Sequence, residues 1–241
     1  MFQGDDPDLG RVLQLAITTA RDLGHRRVGS EHLLLALAMS GPTGGEAETI
    51  PGVLARHGVT AAALRDAVNA AAPAGAGVAA DRALVAKLGI DLGGLLQTSD
   101  AATWDHQVGR APVFPLSTSS SRRRRDRIRP PLGVDVRAAY EASLRLALAR
   151  RERRHRPEHL ALALVSLDPG VDWLLTEVGA DRRAIAADLA VAFPPAERNP
   201  LLRAERRLGR RSRHRHLVRR YQRLAGRPAV DSPMAARLIA G

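Results

Sequence analysis

Two stretches of this 241-residue chain superpose when one is slid past the other, and that self-similarity constrains the fold more than any other feature. Val28-Gly29-Ser30-Glu31-His32-Leu33-Leu34-Leu35-Ala36-Leu37 returns in degraded form as His155-Arg156-Pro157-Glu158-His159-Leu160-Ala161-Leu162-Ala163-Leu164. The shift of 127 that lays Glu158-His159 on Glu31-His32 also lays Tyr140, Leu144 and Ala147 on Leu13, Ile17 and Ala20. Further along, a shift of 121 lays Leu174, Leu175, Gly179, Asp181, Ile185 and Leu189 on Val53, Leu54, Gly58, Thr60, Leu64 and Val68. The loop after the second helix is therefore six residues shorter in the second copy. One four-helix unit used twice and packed on itself accounts for most of the chain.

Each helix of the unit announces itself locally. Leu9, Val12, Leu13, Ala16, Ile17, Ala20 and Leu23 share one helical face, and Gly24 is placed to end that helix. The Glu-His stretch opens the second helix, with a carboxylate in the first turn and Ser30 in position to cap it. Val53 to His57 predicts a short third helix stopped by Gly58, and Thr60 caps a fourth in which Leu64 and Val68 face inward. Between the copies, Leu84, Leu88, Leu92 and Leu95 around Gly89-Ile90-Asp91 predict two short bridging helices over 81–96.

Alanine, leucine and arginine dominate while aromatics are 3% of the chain, which points to an all-α fold. The formal charge of +12 is unevenly spread. Residues 195–241 hold 13 Arg against 3 acids, and 121–129 hold 6 Arg against 1 Asp, which leaves the rest of the chain mildly acidic. The expected organisation is a double repeat over 1–194 and a basic, partly helical tail over 195–241. Within the first part, repeat one spans about 9–72, a bridge 78–133 and repeat two about 134–194, with an arginine-rich disordered loop at 115–131. No apolar run approaches the length of a membrane span and no leader pattern opens the chain, so the expected location is cytoplasmic, with no membrane partner.

The chemical candidates are few. With no cysteine there are no thiolate ligands or nucleophiles. No Gly-X-Ser-X-Gly elbow occurs, and no His-Glu-X-X-His pair brings His25, His32 or His57 into a metal-binding pattern. No catalytic residue, metal site or cofactor is expected. A P-loop needs a lysine between glycine and Ser or Thr, but the sole lysine, Lys87, stands between Ala86 and Leu88. The arginines of the tail, among them Arg206, Arg207, Arg210, Arg211, Arg213, Arg219 and Arg220, can meet nucleic-acid phosphates or an acidic protein, or remain solvated. Tyr221 is the tail's one aromatic, which gives base stacking little to work with, while Leu217, Val218, Tyr221 and Leu224 form an apolar stripe among the arginines.

Leu23-Gly24-His25, Gly29-Ser30-Glu31-His32-Leu33-Leu34-Leu35-Ala36-Leu37, Val53-Leu54 with Gly58-Val59, and the Thr60-capped helix together resemble the double Clp N-terminal repeat. That is the substrate and adaptor docking domain at the front of Clp-type AAA+ unfoldases. The resemblance covers roughly Leu9 to Phe193. It implies a pseudo-twofold helical docking domain without the ATPase motor, acting with Clp unfoldase or protease components or their clients. Stand-alone proteins of this type occur in actinobacteria, whose composition this one shares. In some relatives the glutamate of each Glu-His motif holds phosphorylated arginine with help from a threonine. The matching residues here are Glu31 and Glu158, with His32 and His159 beside them as candidate contacts to a peptide or small molecule. Asp6 and Gly133 stand where the threonines would, so each glutamate can equally be read as helix-start chemistry.

Overall fold

The structure is a computed structural model whose description covers residues 3–41, 48–72, 75–87 and 130–195. The expected bridging leucines Leu88, Leu92 and Leu95, the arginine loop and the tail beyond Pro195 lie outside the described residues.

Within them the chain is helical. A two-residue strand β1 (Gly4–Asp5) leads into α1 (Pro7–Asp22), α2 (Ser30–Met39), α3 (Ile50–Arg56) and α4 (Ala61–Ala70). After α5 (Ala76–Lys87), the second copy runs α6 (Val134–Ala149), β2 (Arg154–His155), α7 (Pro157–Leu167), α8 (Pro169–Glu177) and α9 (Arg182–Ala192). The helix order of the repeat is as the two shifts predict. The α1 stripe is buried from Leu9 through Ala20, and Tyr140, Leu144, Leu174, Leu175, Ile185 and Leu189 are buried in the second copy. Gly24, Gly58 and Gly179 each take positive φ just past a helix end, where a side chain would be strained. The Thr60 hydroxyl accepts from Ala63 N–H, and the Asp181 carboxylate accepts from Arg183 N–H.

The Glu-His helices α2 and α7 form the centre. Helices α1 and α4 pack on α2, α6 and α9 pack on α7, and α2 and α7 touch each other. Ser30 through Leu37 are buried on every side, which suits a helix apolar all round. Each fully buried leucine there contributes roughly 2 kcal/mol of transfer free energy.

The repeats are joined by exchanged main-chain pairing. β1 runs parallel to β2, pairing Asp5 with His155, and an isolated parallel bridge pairs Leu132 with Val28. These pairs are related by the 127 shift, as are the bonds beside them: Asp6 N–H donates to the His155 carbonyl, and Gly133 N–H to the Val28 carbonyl, both at 2.8 Å. Each repeat's entry segment thus pairs with the segment preceding the other repeat's central helix.

Three expectations need correction. Ser30 does not cap α2: the extended N-cap residue is Gly29, Ser30 is the first helical residue, and its hydroxyl donates elsewhere. Helix α3 begins three residues before Val53, because the Thr49 hydroxyl caps it by accepting from Gly52 N–H at 3.1 Å. The bridging helix starts at Ala76 rather than Asp81, and Leu84, placed on its apolar stripe, is 61% exposed; α5 packs through its first turns instead.

Candidate functional site

The two glutamates named by the repeat meet different surroundings. In both copies the histidine is part of the helix start. Gly29 N–H donates to His32 Nδ1 and Arg156 N–H donates to His159 Nδ1, each at 3.0 Å. This is the reciprocal half of a capping box with histidine in the third position, and it fixes Nδ1 of both rings as an acceptor. His32 then places Nε2 2.9 Å from His25 Nδ1. His25, Glu31 and His32 put potential ligand atoms within 4.8 Å of one another, yet both His32 nitrogens are already engaged in these bonds. The grouping is a packed hydrogen-bond chain, not a set of donors converging on a point. Burial and the neighbouring His32 lower the His25 pKa.

Glu31 is only 3% exposed. Its carboxylate folds back over Gly29, into the space a Cβ there would take. On the other side it meets Gly75, whose Cβ would stand 3.1 Å from Oε1. Around it lie two more acids from the other half, the half-buried Asp135 and the buried Asp168. Ser30 N–H donates to Asp135 Oδ2 at 2.5 Å, and the Ser30 hydroxyl donates to Asp168 Oδ1 at 2.7 Å. Asp168 also caps α8 by accepting from Val171 N–H at 2.9 Å. Burial, then the charge of Glu31, pushes Asp135 up to about 6, and burial raises Asp168 as well. Sequence reasoning missed both acids, because their partner Ser30 is 105 and 138 residues away.

Glu158 is half-buried and opens onto a cleft of about 310 Å³. The cleft runs between the start of α1 (Asp8, Arg11), the end of α2 (Met39) and the start of α3 (Ile50), with Pro157 and Phe193 closing its other side. Asp8 is the 127-shift counterpart of Asp135 but lacks its donor, since Pro157 stands in place of Ser30 and has no N–H. Asp8 pairs instead with Arg11 at 2.8 Å. A second cleft, lined by Arg150, Arg156, His159 and Phe193, meets the first at Glu158. His159 is buried, and its pKa falls to about 3 through burial first and then the charges of His155, Arg150 and Arg156. His57, also considered in the first repeat, ties α3 to α9 through Asp188 at 2.9 Å.

One constellation has catalytic form. Ser143 Oγ lies 2.8 Å from His155 Nε2, and His155 Nδ1 lies 3.0 Å from Asp5 Oδ1. Ser143 and His155 are wholly buried, neither lines a described cleft, and the serine hydroxyl donates to the Tyr140 carbonyl. The buried trio ties β1 and β2 to α6. The tail arginines from Arg206 to Arg220 lie outside the described residues.

Residues 6–107 match the family model of the Clp repeat (R) N-terminal domain. Over those residues the chain is similar to a Clp repeat domain. That match spans repeat one and α5; the second copy, over 134–192, follows from the symmetry above. A solved structure, the N-terminal domain of the caseinolytic protease associated chaperone ClpD from Arabidopsis thaliana, is similar at 18% identity and a TM-score of 0.49, over 79% of this chain and 95% of that one. No curated protein matches the sequence. Among the described residues no helix is long and apolar enough to cross a membrane.

Proposed function

We propose that this Clp repeat protein is a non-catalytic docking or adaptor component of the Clp proteolysis system, binding substrates, adaptors or small ligands or competing for them as a decoy. The observation that carries the reading is the open cleft between the repeats at Glu158, on a domain whose family is a docking module. Apolar walls from Met39, Ile50 and Phe193 with a few convergent charges are what a peptide or small-molecule site needs. Glu158 and His159 are the ligand-side residues of this reading, whereas Glu31 and His32 hold the opposite seam together. In domain terms, 1–194 is the docking body and 195–241 an appended basic segment.

The test is affinity capture with the full chain from a lysate of its source, scored for Clp subunits and their clients. Met39→Arg, a change at a half-exposed rim position, should abolish recovery by filling the cleft. Recovery of neither class, or recovery indifferent to Met39→Arg, overturns the proposal.

A second reading rests on the +10 charge of residues 195–241: non-specific nucleic-acid binding by Arg206 to Arg220. It requires affinity that falls steeply with salt and disappears when these arginines are replaced by glutamine.

A further inference from the structure

The two capping histidines differ in what their outer nitrogen meets. With Nδ1 accepting from the main chain, each neutral ring carries its proton on Nε2 and offers it as a donor. In repeat one that donor is used, since His32 Nε2 lies 2.9 Å from His25 Nδ1. The 127 shift lays Glu152 on His25, so repeat two has no imidazole in that place. His159 is 3% exposed and lines the second cleft, and its Nε2–H meets no hydrogen-bond partner among the described residues. A donor on so buried a side chain favours an acceptor brought to it through the cleft.

The same cleft holds a cation ready for that acceptor. Arg156 is exposed, and among the described residues its guanidinium makes no hydrogen bond or ion pair. The charges of Arg150 and Arg156 both reach His159. Of the acids lining the cleft, Glu48 is paired with Arg56, whereas Glu152 and Glu158 would repel a second negative charge. Directly adjoining is the apolar first cleft, which shares Glu158 and Phe193 with the second.

From this juxtaposition we infer that the joined clefts hold the C-terminal residue of a peptide, its carboxylate accepting from His159 Nε2–H and Arg156, its apolar side chain against Met39, Ile50 and Phe193. The inference deepens the docking reading and rests on it for the occupant being a peptide. A C-terminal residue carries both groups on one Cα. An apolar residue next to an internal acid would, in an extended chain, turn the two side chains to opposite faces. Burial, then the neighbouring charges, lowers the His159 pKa to about 3, so at neutral pH the ring keeps Nδ1 as cap acceptor and Nε2–H as donor.

Synthetic peptides and the purified full chain test this with no Clp component present. Acetyl-Ala-Ala-Leu with a free C-terminal carboxylate should bind about tenfold more tightly than the same peptide amidated. In nitrogen-15 spectra of the labelled imidazoles, the free acid and not the amide should move the His159 Nε2–H proton downfield. Arg156→Gln keeps the backbone N–H of the cap and should cut the preference for the acid severalfold. His159→Glu keeps a capping acceptor at the third helical position and should abolish it. Arg156→Gln alone decides where the His159 variant fails to fold. Equal affinity of acid and amide, including no binding of either, overturns the inference. So does an acid preference indifferent to Arg156→Gln, or an amidated peptide with an internal aspartate that binds as tightly as the free acid. The lysate capture reads Clp components and these titrations do not, so the two readings fail separately.

Discussion

At the seam between repeats, equivalent positions hold opposite chemistry. On one side the exchanged strand pairing is backed by Asp5, His155 and Ser143, a buried polar trio; on the other the same three positions are Leu132, Val28 and Ala16. Beside the seam the contrast reverses. Repeat one offers Ser30, which donates from its N–H to Asp135 and from its hydroxyl to Asp168, and the surrounding groove is shut by α5. Repeat two offers Pro157, which can donate nothing, and the groove is open. The backbone symmetry survived duplication because main-chain pairing and helix packing tolerate many side chains. The two grooves diverged through one residue that supplies donors and one that cannot. A docking surface on this fold is therefore a matter of which groove lost its internal partners.

The strongest way to break this comparison is to copy repeat two into repeat one. Proline is well tolerated at a first helical position, so Ser30→Pro should harm the fold only through its lost bonds. It removes both donors to a half-buried and a buried carboxylate, at an expected cost of roughly 3 kcal/mol. Ser30→Ala, which keeps the N–H, should cost about 1 kcal/mol. Urea midpoints of the two variants check the order; an equal loss would mean that the Asp135 bond contributes nothing.

The elements of this contrast were unequally legible in the sequence. Helices, stops and most caps are local: Gly24, Gly58 and Gly179 lie next to the helices they end, and Thr60 and Asp181 next to those they cap. The repeat shifts supplied the architecture for the same reason, since apolar spacing recurs within each helix. The seam was not readable, because two-residue strands carry no periodicity and the partners of Ser30, His155 and Gly133 lie more than a hundred residues distant. Serine before an apolar run is ordinarily a cap, which is why Ser30 reads as one. Here Gly29 has the extended backbone of the N-cap and Ser30 is already helical, so the cap lies one residue earlier.

A middle-sized effect comes from the polar trio. His155→Val leaves Asp5 and Ser143 without their shared partner and should cost about 2 kcal/mol. Adding Asp5→Leu and Ser143→Ala completes the apolar set of the other side and should recover a good part of that loss, because a well-packed apolar substitute can match a buried polar cluster. A triple variant no more stable than the single one would show that the two sides are not interchangeable, and that β1 and β2 depend on the trio.

The smallest effect sharpens the comparison through pH. Asp135 on the closed side is raised from 3.8 to about 6, so between those values the folded chain holds more of this proton than the unfolded chain does, and stability falls as pH rises. His159 on the open side is lowered from 6.5 to about 3, so over that window the unfolded chain holds more protons and stability rises with pH. The two slopes oppose each other between about pH 4 and 6. Asp135→Asn keeps an acceptor for Ser30 N–H while removing its own titration. Stability of this variant should then rise with pH across that window more steeply than that of the parent, by up to about 1 kcal/mol per unit. Urea denaturation at pH 4, 5 and 6 measures it. Parallel profiles for variant and parent would mean that the Asp135 carboxyl is not raised in the folded chain.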